Sequence, residues 1–220
     1  MVHIVKNKDK KTVAEICFLT DRKQINNKKV IEMIKKSLLK CYLEVPLHNK
    51  KVAIFSSKDH FIRDKMGGIG ADAMQENVIS LHIYPTQGWQ KHLENSIAHE
   101  YSHLAILDIR KWETILDSLI IEGIAETFRD EVIGGKSPPW TKVLSKSKAK
   151  ILLKKLDKKL SFKESELHQE LFFGSKEYEM WSGYSLGYLI VKEFREKNSD
   201  LSWKDIMKLS SLDILKRSGF

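Results

Sequence analysis

Apolar residues change their rhythm along this chain. In the first part they come in short runs: residues 3–5 and 12–18 flank the polar turn 6–11 and predict a β-hairpin. Val30, Ile31, Ile34, Leu38 and Leu39 then recur at helical spacing, predicting an amphipathic helix over about 25–43, with Pro46 beyond its end. Val52-Ala53-Ile54-Phe55 has the length of a buried strand. In the segment 78–84, Ile79, Leu81 and Ile83 share one face, while Val78, Ser80, His82 and Tyr84 share the other. Pro85 closes that segment, which suits an edge strand. Gly67-Gly68-Ile69-Gly70-Ala71-Asp72-Ala73 can be laid on a dinucleotide fingerprint. It precedes a strand instead of opening a helix, so it reads as a flexible glycine loop.

From Trp89 onward the periodicity is helical. One helix is predicted over 89–109, and a second begins at Thr114, where Thr114 and Asp117 form a capping box, and ends at Gly134-Gly135. Beyond the break at Pro138-Pro139 a basic amphipathic helix covers about 142–159. Another starts near Ser161, with Glu164 three residues on, and ends at Gly174. A long helix over 175–197 and a short one near 202–209 complete the reading. The fold class is α+β: a small mixed sheet with an edge strand in an N-terminal lobe, 1–87, then a mainly helical lobe, 88–220. Together they are read as one domain, 1–220, with the active-site cleft between the lobes.

Composition narrows the function. With 42% hydrophobic and 30% charged residues the chain can build a core. The formal charge of +9 raises the question of nucleic acid, but of 38 basic residues 32 are Lys and six Arg. Nucleic-acid recognition leans on Arg, so no nucleic-acid partner is expected. Cys17 and Cys41 have no CxxC spacing, which excludes a disulfide or thiolate-zinc framework. No run approaches the roughly 18 apolar residues of a transmembrane helix, and the first eleven residues contain no signal-type run. The expected location is cytoplasmic.

The candidate chemistry lies in His99-Glu100-Tyr101-Ser102-His103, an HExxH motif on the 89–109 helix. Histidines four apart on a helix share a face, so both can reach one tetrahedral zinc. Glu100, beside them, is placed to take a proton from a metal-activated water. A catalytic zinc needs a third protein ligand and an open position. Glu122 follows His103 after 18 residues, enough for the helix to finish and a second to return. It sits in Ile120-Ile121-Glu122-Gly123-Ile124-Ala125-Glu126, where a carboxylate is costly to bury without a partner. Gly123 would let a neighbouring helix come close. Glu126, one turn on, could accept the outer N–H of a ligating His. His92 lies about 10 Å before His99 along the helix, out of reach of the same ion. His60 and His168 stand alone.

HExxH, 18 residues, then Glu is similar to the pattern of the gluzincin metallopeptidases, the zinc aminopeptidases in particular. From about 67 to 191 the chain more fully resembles a bacterial family of predicted zinc-dependent proteases of the YjaZ type. The shared features are the glycine loop, the 78–84 strand, His-Glu-Tyr-x-His, Glu-Gly-x-Ala-Glu and a late Gly-Tyr-x-x-Gly. The resemblance implies a zincin-like fold, one Zn2+ per chain on His99, His103 and Glu122, Glu100 as general base, and a peptide or protein substrate. It further implies that Tyr184, in Gly183-Tyr184-Ser185-Leu186-Gly187-Tyr188, donates a hydrogen bond to the oxyanion, with Tyr188 the alternative donor. An extended peptide could add to the 78–84 strand, which makes Ser80 and His82 the substrate-binding candidates. Exopeptidase action of the aminopeptidase kind stays open, as does a non-catalytic role as a zinc-binding or basic interaction protein.

Overall fold

The computed structural model describes residues 2–107, 109–163 and 165–220. Two compact units divide the chain: the first runs to Ala105 and includes Glu131–Gly134, the second holds Ile106–Asp130 and Gly135–Phe220.

In the first unit, β1 (Val2–Lys6) and β2 (Thr12–Phe18) form the expected antiparallel hairpin. Helix α1 (Lys28–Glu44) buries Val30, Ile31, Ile34, Leu38 and Cys41, and Asn27 caps it by accepting from the Val30 N–H at 3.1 Å. Strand β3 (Lys50–Ser56), the short helix α2 (His60–Lys65), β4 (Ile69–Gln75) and β5 (Val78–Ile83) follow. Among the described residues the strands form one mixed sheet in the order β1-β2-β3-β5-β4. β5 runs parallel to β3 on one side and antiparallel to β4 on the other. It is therefore an inner strand, which corrects the edge-strand reading of 78–84.

The displaced edge is β4, and its residues explain why it reads as a loop. Glycine at 70 and alanines at 71 and 73 carry too little apolar surface to show a strand's alternation. The glycines before it are not flexible filler. Gly68 has φ +92°, and a Cβ there would meet the Tyr84 carbonyl oxygen at 2.6 Å, so the turn into β4 needs glycine.

Register sorts the sheet faces. Ile16, Val52 and Ile79 lie abreast, as do Phe18, Ile54 and Leu81, and all six are buried. Burying each such side chain contributes about 1.5–3 kcal/mol. The other face carries Cys17, Ala53 and Ser80, then Phe55 and His82, all half-buried. Helix α3 (Leu93–Leu107), entered through a 3-10 turn at Trp89–His92, is tied to α1 and its exit. The Ser37 hydroxyl donates to the Glu94 carbonyl at 2.9 Å. The Tyr101 hydroxyl donates to the Val45 carbonyl at 2.8 Å and accepts from the Leu47 N–H at 3.1 Å.

The second unit contains helices α4 (Ile115–Val132), α5 (Lys146–Leu156), α6 (Ser165–Phe173), α7 (Ser182–Lys197), α8 (Trp203–Ile206) and α9 (Ser211–Ser218). α7 packs against α5, α6 and α9. The capping box of α4 is present: Thr114 Oγ1 accepts from the Asp117 N–H at 3.1 Å, and Asp117 Oδ2 accepts from the Thr114 N–H at 3.0 Å. Glu164, the partner expected for Ser161, lies outside the described residues.

Three boundaries differ from expectation. α5 begins at Ser145, whose hydroxyl accepts from the Lys148 N–H, so Lys142 lies before the helix. α7 begins at Ser182 instead of 175, because Ser175 Oγ accepts from the Glu177 and Tyr178 N–H groups and Trp181 sits at φ +70°. α9 has its own serine cap, Ser210, with Asp213 three residues on, a signal the sequence reading passed over. No helix of the described residues is long and apolar enough to cross a membrane.

Candidate metal centre

The helical spacing of the two histidines becomes a pair of facing nitrogens. On α3, His99 Nε2 and His103 Nε2 lie 3.0 Å apart, with ring centroids 4.7 Å apart and planes at 80°. Two ligands of one tetrahedral zinc at about 2.05 Å stand roughly 3.3 Å from each other, so the pair suits a shared ion. The Ser102 hydroxyl donates to the His99 carbonyl at 2.9 Å, inside the motif. Glu100 is 6% exposed and His103 likewise, so the motif is largely shielded from bulk water.

Glu122 stands on α4, 7% exposed, between Ile121 and Gly123 on a stretch buried from Ser118 to Arg129. A carboxylate there is tolerated only with compensating charge or hydrogen bonds, which a divalent cation supplies. One ligand atom from each of His99, His103 and Glu122 lies within 4.8 Å of the others. Two imidazoles and a carboxylate are a donor set that fits zinc and leaves a fourth position open.

A family model described as "Predicted Zn-dependent protease (DUF2268)" matches residues 27–216. The chain belongs to this family. The DUF2268 match covers α1 through most of α9 and every candidate site residue; the β1–β2 hairpin precedes it. No curated protein matches the chain.

In this DUF2268 chain the remaining candidates separate by surroundings. Gly123 does what was expected of it: a Cβ there would overlap the Gly187 carbonyl of α7, and one at Gly187 would overlap the Leu119 carbonyl of α4. The two glycines let the helix backbones touch beside Glu122. Glu126 is fully buried, accepting from Trp140 Nε1 at 2.7 Å and lying 3.1 Å from the Arg129 guanidinium. Nothing in the sequence pattern pointed to Trp140 as a partner.

The two tyrosines of α7 part company. Tyr188 donates to Asp130 Oδ2 at 2.8 Å, and burial, with Asp130 beside it, pushes its pKa up to about 12. Tyr184 is half-exposed in the first turn of α7, its ring edge-on to Phe172 at 4.9 Å. Phe172 also stacks on His168 at 4.4 Å and 20°. Burial lowers the His168 pKa, and the Glu122 charge pulls it back up, so the imidazole senses the candidate ligand. The sequence reading left His168 isolated, although its four-residue spacing from Phe172 on α6 was the available signal.

Ser80 and His82 lie on the half-buried sheet face, on an inner strand. His82 stacks on Phe55 with centroids 5.1 Å apart and lies 3.6 Å from Asp72. Both edges of their strand are taken up, so a peptide cannot add there as expected.

Proposed function

We propose that this chain is a zinc metallopeptidase of zincin-like fold that cleaves peptide bonds with water. The reading rests on the approach of His99, His103 and Glu122 to within 4.8 Å, with Glu100 next to the first of them on α3. The family description, a predicted Zn-dependent protease, agrees in chemistry.

Zn2+ held there by His99, His103 and Glu122 would polarise the scissile carbonyl and acidify the attacking water. Glu100 takes that water's proton on its carboxylate and passes it to the leaving amine. Burial of Glu100 keeps bulk water from competing for that proton. Tyr184 donates its hydroxyl proton to a hydrogen bond with the oxyanion, an electrostatic contribution made in place before the reaction starts. Tyr188, held by Asp130, is the poorer candidate for this donor. Glu126 steadies the buried side of α4 through Trp140 and Arg129 and serves the ligand set as a positioning group.

The substrate backbone adds to β4, the edge strand next to β5, by main-chain hydrogen bonds. Ser80 and His82 then serve substrate side chains from the sheet face, not its backbone.

The test is metal analysis of the purified protein and its Glu100→Gln variant, both assayed on mixed peptides. The variant should bind zinc as the native chain does and lose about 10²–10⁴-fold in turnover. Undiminished hydrolysis would remove Glu100 from the reaction, and a native chain that binds no zinc would end the proposal.

A further inference from the structure

We propose that a cleft in the second unit, lined by α5 and α9, binds an anionic amphiphile: a carboxylate head on a long alkyl chain. The inference does not depend on the metallopeptidase reading, since no residue of the candidate metal centre lines the cleft. The cleft has a volume of about 400 Å³, within the size range of small-molecule sites. Its floor is apolar. Leu153 comes from α5, Leu160 from just beyond the 3-10 turn that follows it, Leu215 from α9, and Phe220 from the chain after α9. All four are half-buried, so part of their apolar surface stays open to a ligand. Phe220 is held in place by the way α9 ends. Gly219 turns the chain at φ +67°, the Phe220 N–H donates to Ser218 Oγ at 3.1 Å, and Lys197 Nζ donates to the Ser218 carbonyl at 2.6 Å.

The rim is cationic. Lys150, Lys154 and Lys216 line the cleft together with one carboxylate side chain, Asp157. Lys150 Nζ stands over the Phe220 ring, 5.7 Å from its centroid, which brings a charge to the edge of the apolar floor. Elsewhere on α5, Lys146 reaches Glu193 at 2.5 Å and Lys155 reaches Glu177 at 3.2 Å. Among the described residues no carboxylate lies within 4.0 Å of the three rim nitrogens. Three charges without a close counterion, set over an apolar trough, favour a ligand of opposite sign that carries an apolar tail. The lysine stems can also lie along that tail while their ends stay on the head group. Lysine is a point charge on a flexible stem, so the rim selects sign more than geometry, and a carboxylate satisfies it. The apolar floor is recessed, which fits a single alkyl chain better than it fits the surface of a bilayer.

The experiment is isothermal titration calorimetry of the full chain with dodecanoate, kept below its micelle concentration. One dodecanoate per chain should bind saturably, and decanoate should bind more weakly, by about 3-fold for each methylene removed. Dodecyltrimethylammonium, with the same tail and the opposite charge, should not compete. Lys154→Gln combined with Lys216→Gln changes two exposed side chains, so the melting temperature should hold while dodecanoate affinity falls about 10-fold. Lys146→Gln, on the same helix but outside the cleft, should leave the affinity as it is. No saturable binding, equal binding of the cationic amphiphile, or the same loss from Lys146→Gln as from the rim pair would overturn the inference. Binding to phosphatidylglycerol vesicles without binding of free dodecanoate would overturn it too, and would make α5 a membrane-surface helix instead. None of these readouts uses peptide hydrolysis, so a failure here and a failure of the metal centre are told apart.

Discussion

α3 and α4 each carry part of the candidate metal centre, and they hold it by different means. On α3 the geometry is local: two histidines four residues apart must share a face, and their nitrogens meet at 3.0 Å because the backbone is a helix. The anchors of α3, Ser37 on Glu94 and Tyr101 on Val45 and Leu47, only set where that helix lies. On α4 the position of Glu122 depends on contacts far along the chain. Its helix is buried on every side from Ser118 to Arg129, and at Gly123 it touches the backbone of α7. A motif can write the first kind of geometry into five residues. The second needs residues some sixty positions apart to be small together.

The contrast is broken most directly at Gly187. Its added Cβ would strike the Leu119 carbonyl, a backbone atom that cannot swing aside, so Gly187→Ala must separate α4 from α7. Overpacking of this kind costs about 1–3 kcal/mol, and here the upper end is expected. A melting curve should show the loss, and zinc affinity should fall because Glu122 moves with α4. A variant as stable as the native chain would show that the helix contact is loose. The glycine motif around Glu122 would then need another reason.

The same division explains what the sequence made legible. The hairpin, α1, β3, the HExxH helix and the Thr114–Asp117 cap are all specified within a few residues, and each is found where its pattern placed it, give or take a turn. β4 was hidden because its pattern is written in glycine and alanine, whose burial depends on neighbours and not on their own surface. That omission made β5 look like an edge. The start of α7 was misplaced because Ser175 and Trp181 settle it by side-chain and backbone choices that apolar periodicity does not record. His168 reads as standing alone in the sequence because its neighbours, Phe172 and the Glu122 charge, are set by the fold. The two tyrosines one turn apart on α7 are alike by spacing, and only Asp130 and Phe172 tell them apart.

That last distinction sharpens into a paired measurement. Tyr188→Phe removes a hydrogen bond to a partly buried carboxylate and should lower stability by about 1–2 kcal/mol with peptide turnover unchanged. Tyr184→Phe keeps its ring against Phe172 and should cost less stability than Tyr188→Phe while lowering kcat. If Tyr188→Phe is the one that lowers kcat, the assignment of the oxyanion donor is reversed.

The smallest effect is expected at the start of α4, where the local kind of specification operates on the helix that otherwise depends on distant contacts. Asp117 accepts from Thr114 N–H at 3.0 Å and Thr114 Oγ1 at 2.8 Å through one oxygen, and from Ser211 Oγ at 2.5 Å through the other. Burial pushes its carboxyl pKa up, but the hydrogen bonds from Ser211 and Thr114 outweigh burial and hold it below the usual carboxylate value. A folded-state pKa below the unfolded one adds stability above the unfolded pKa of about 3.9. That stability drains away as pH falls through the folded value. Asp117→Asn should therefore cost on the order of 1 kcal/mol at neutral pH, the usual worth of a cap, and should flatten the acid limb of a melting-temperature profile. If the acid limb is as steep in the variant as in the native chain, Asp117 is not what acid titrates at this helix end. If the neutral-pH loss exceeds that of Gly187→Ala, α4 is held chiefly by its cap, and the contrast with α3 fails.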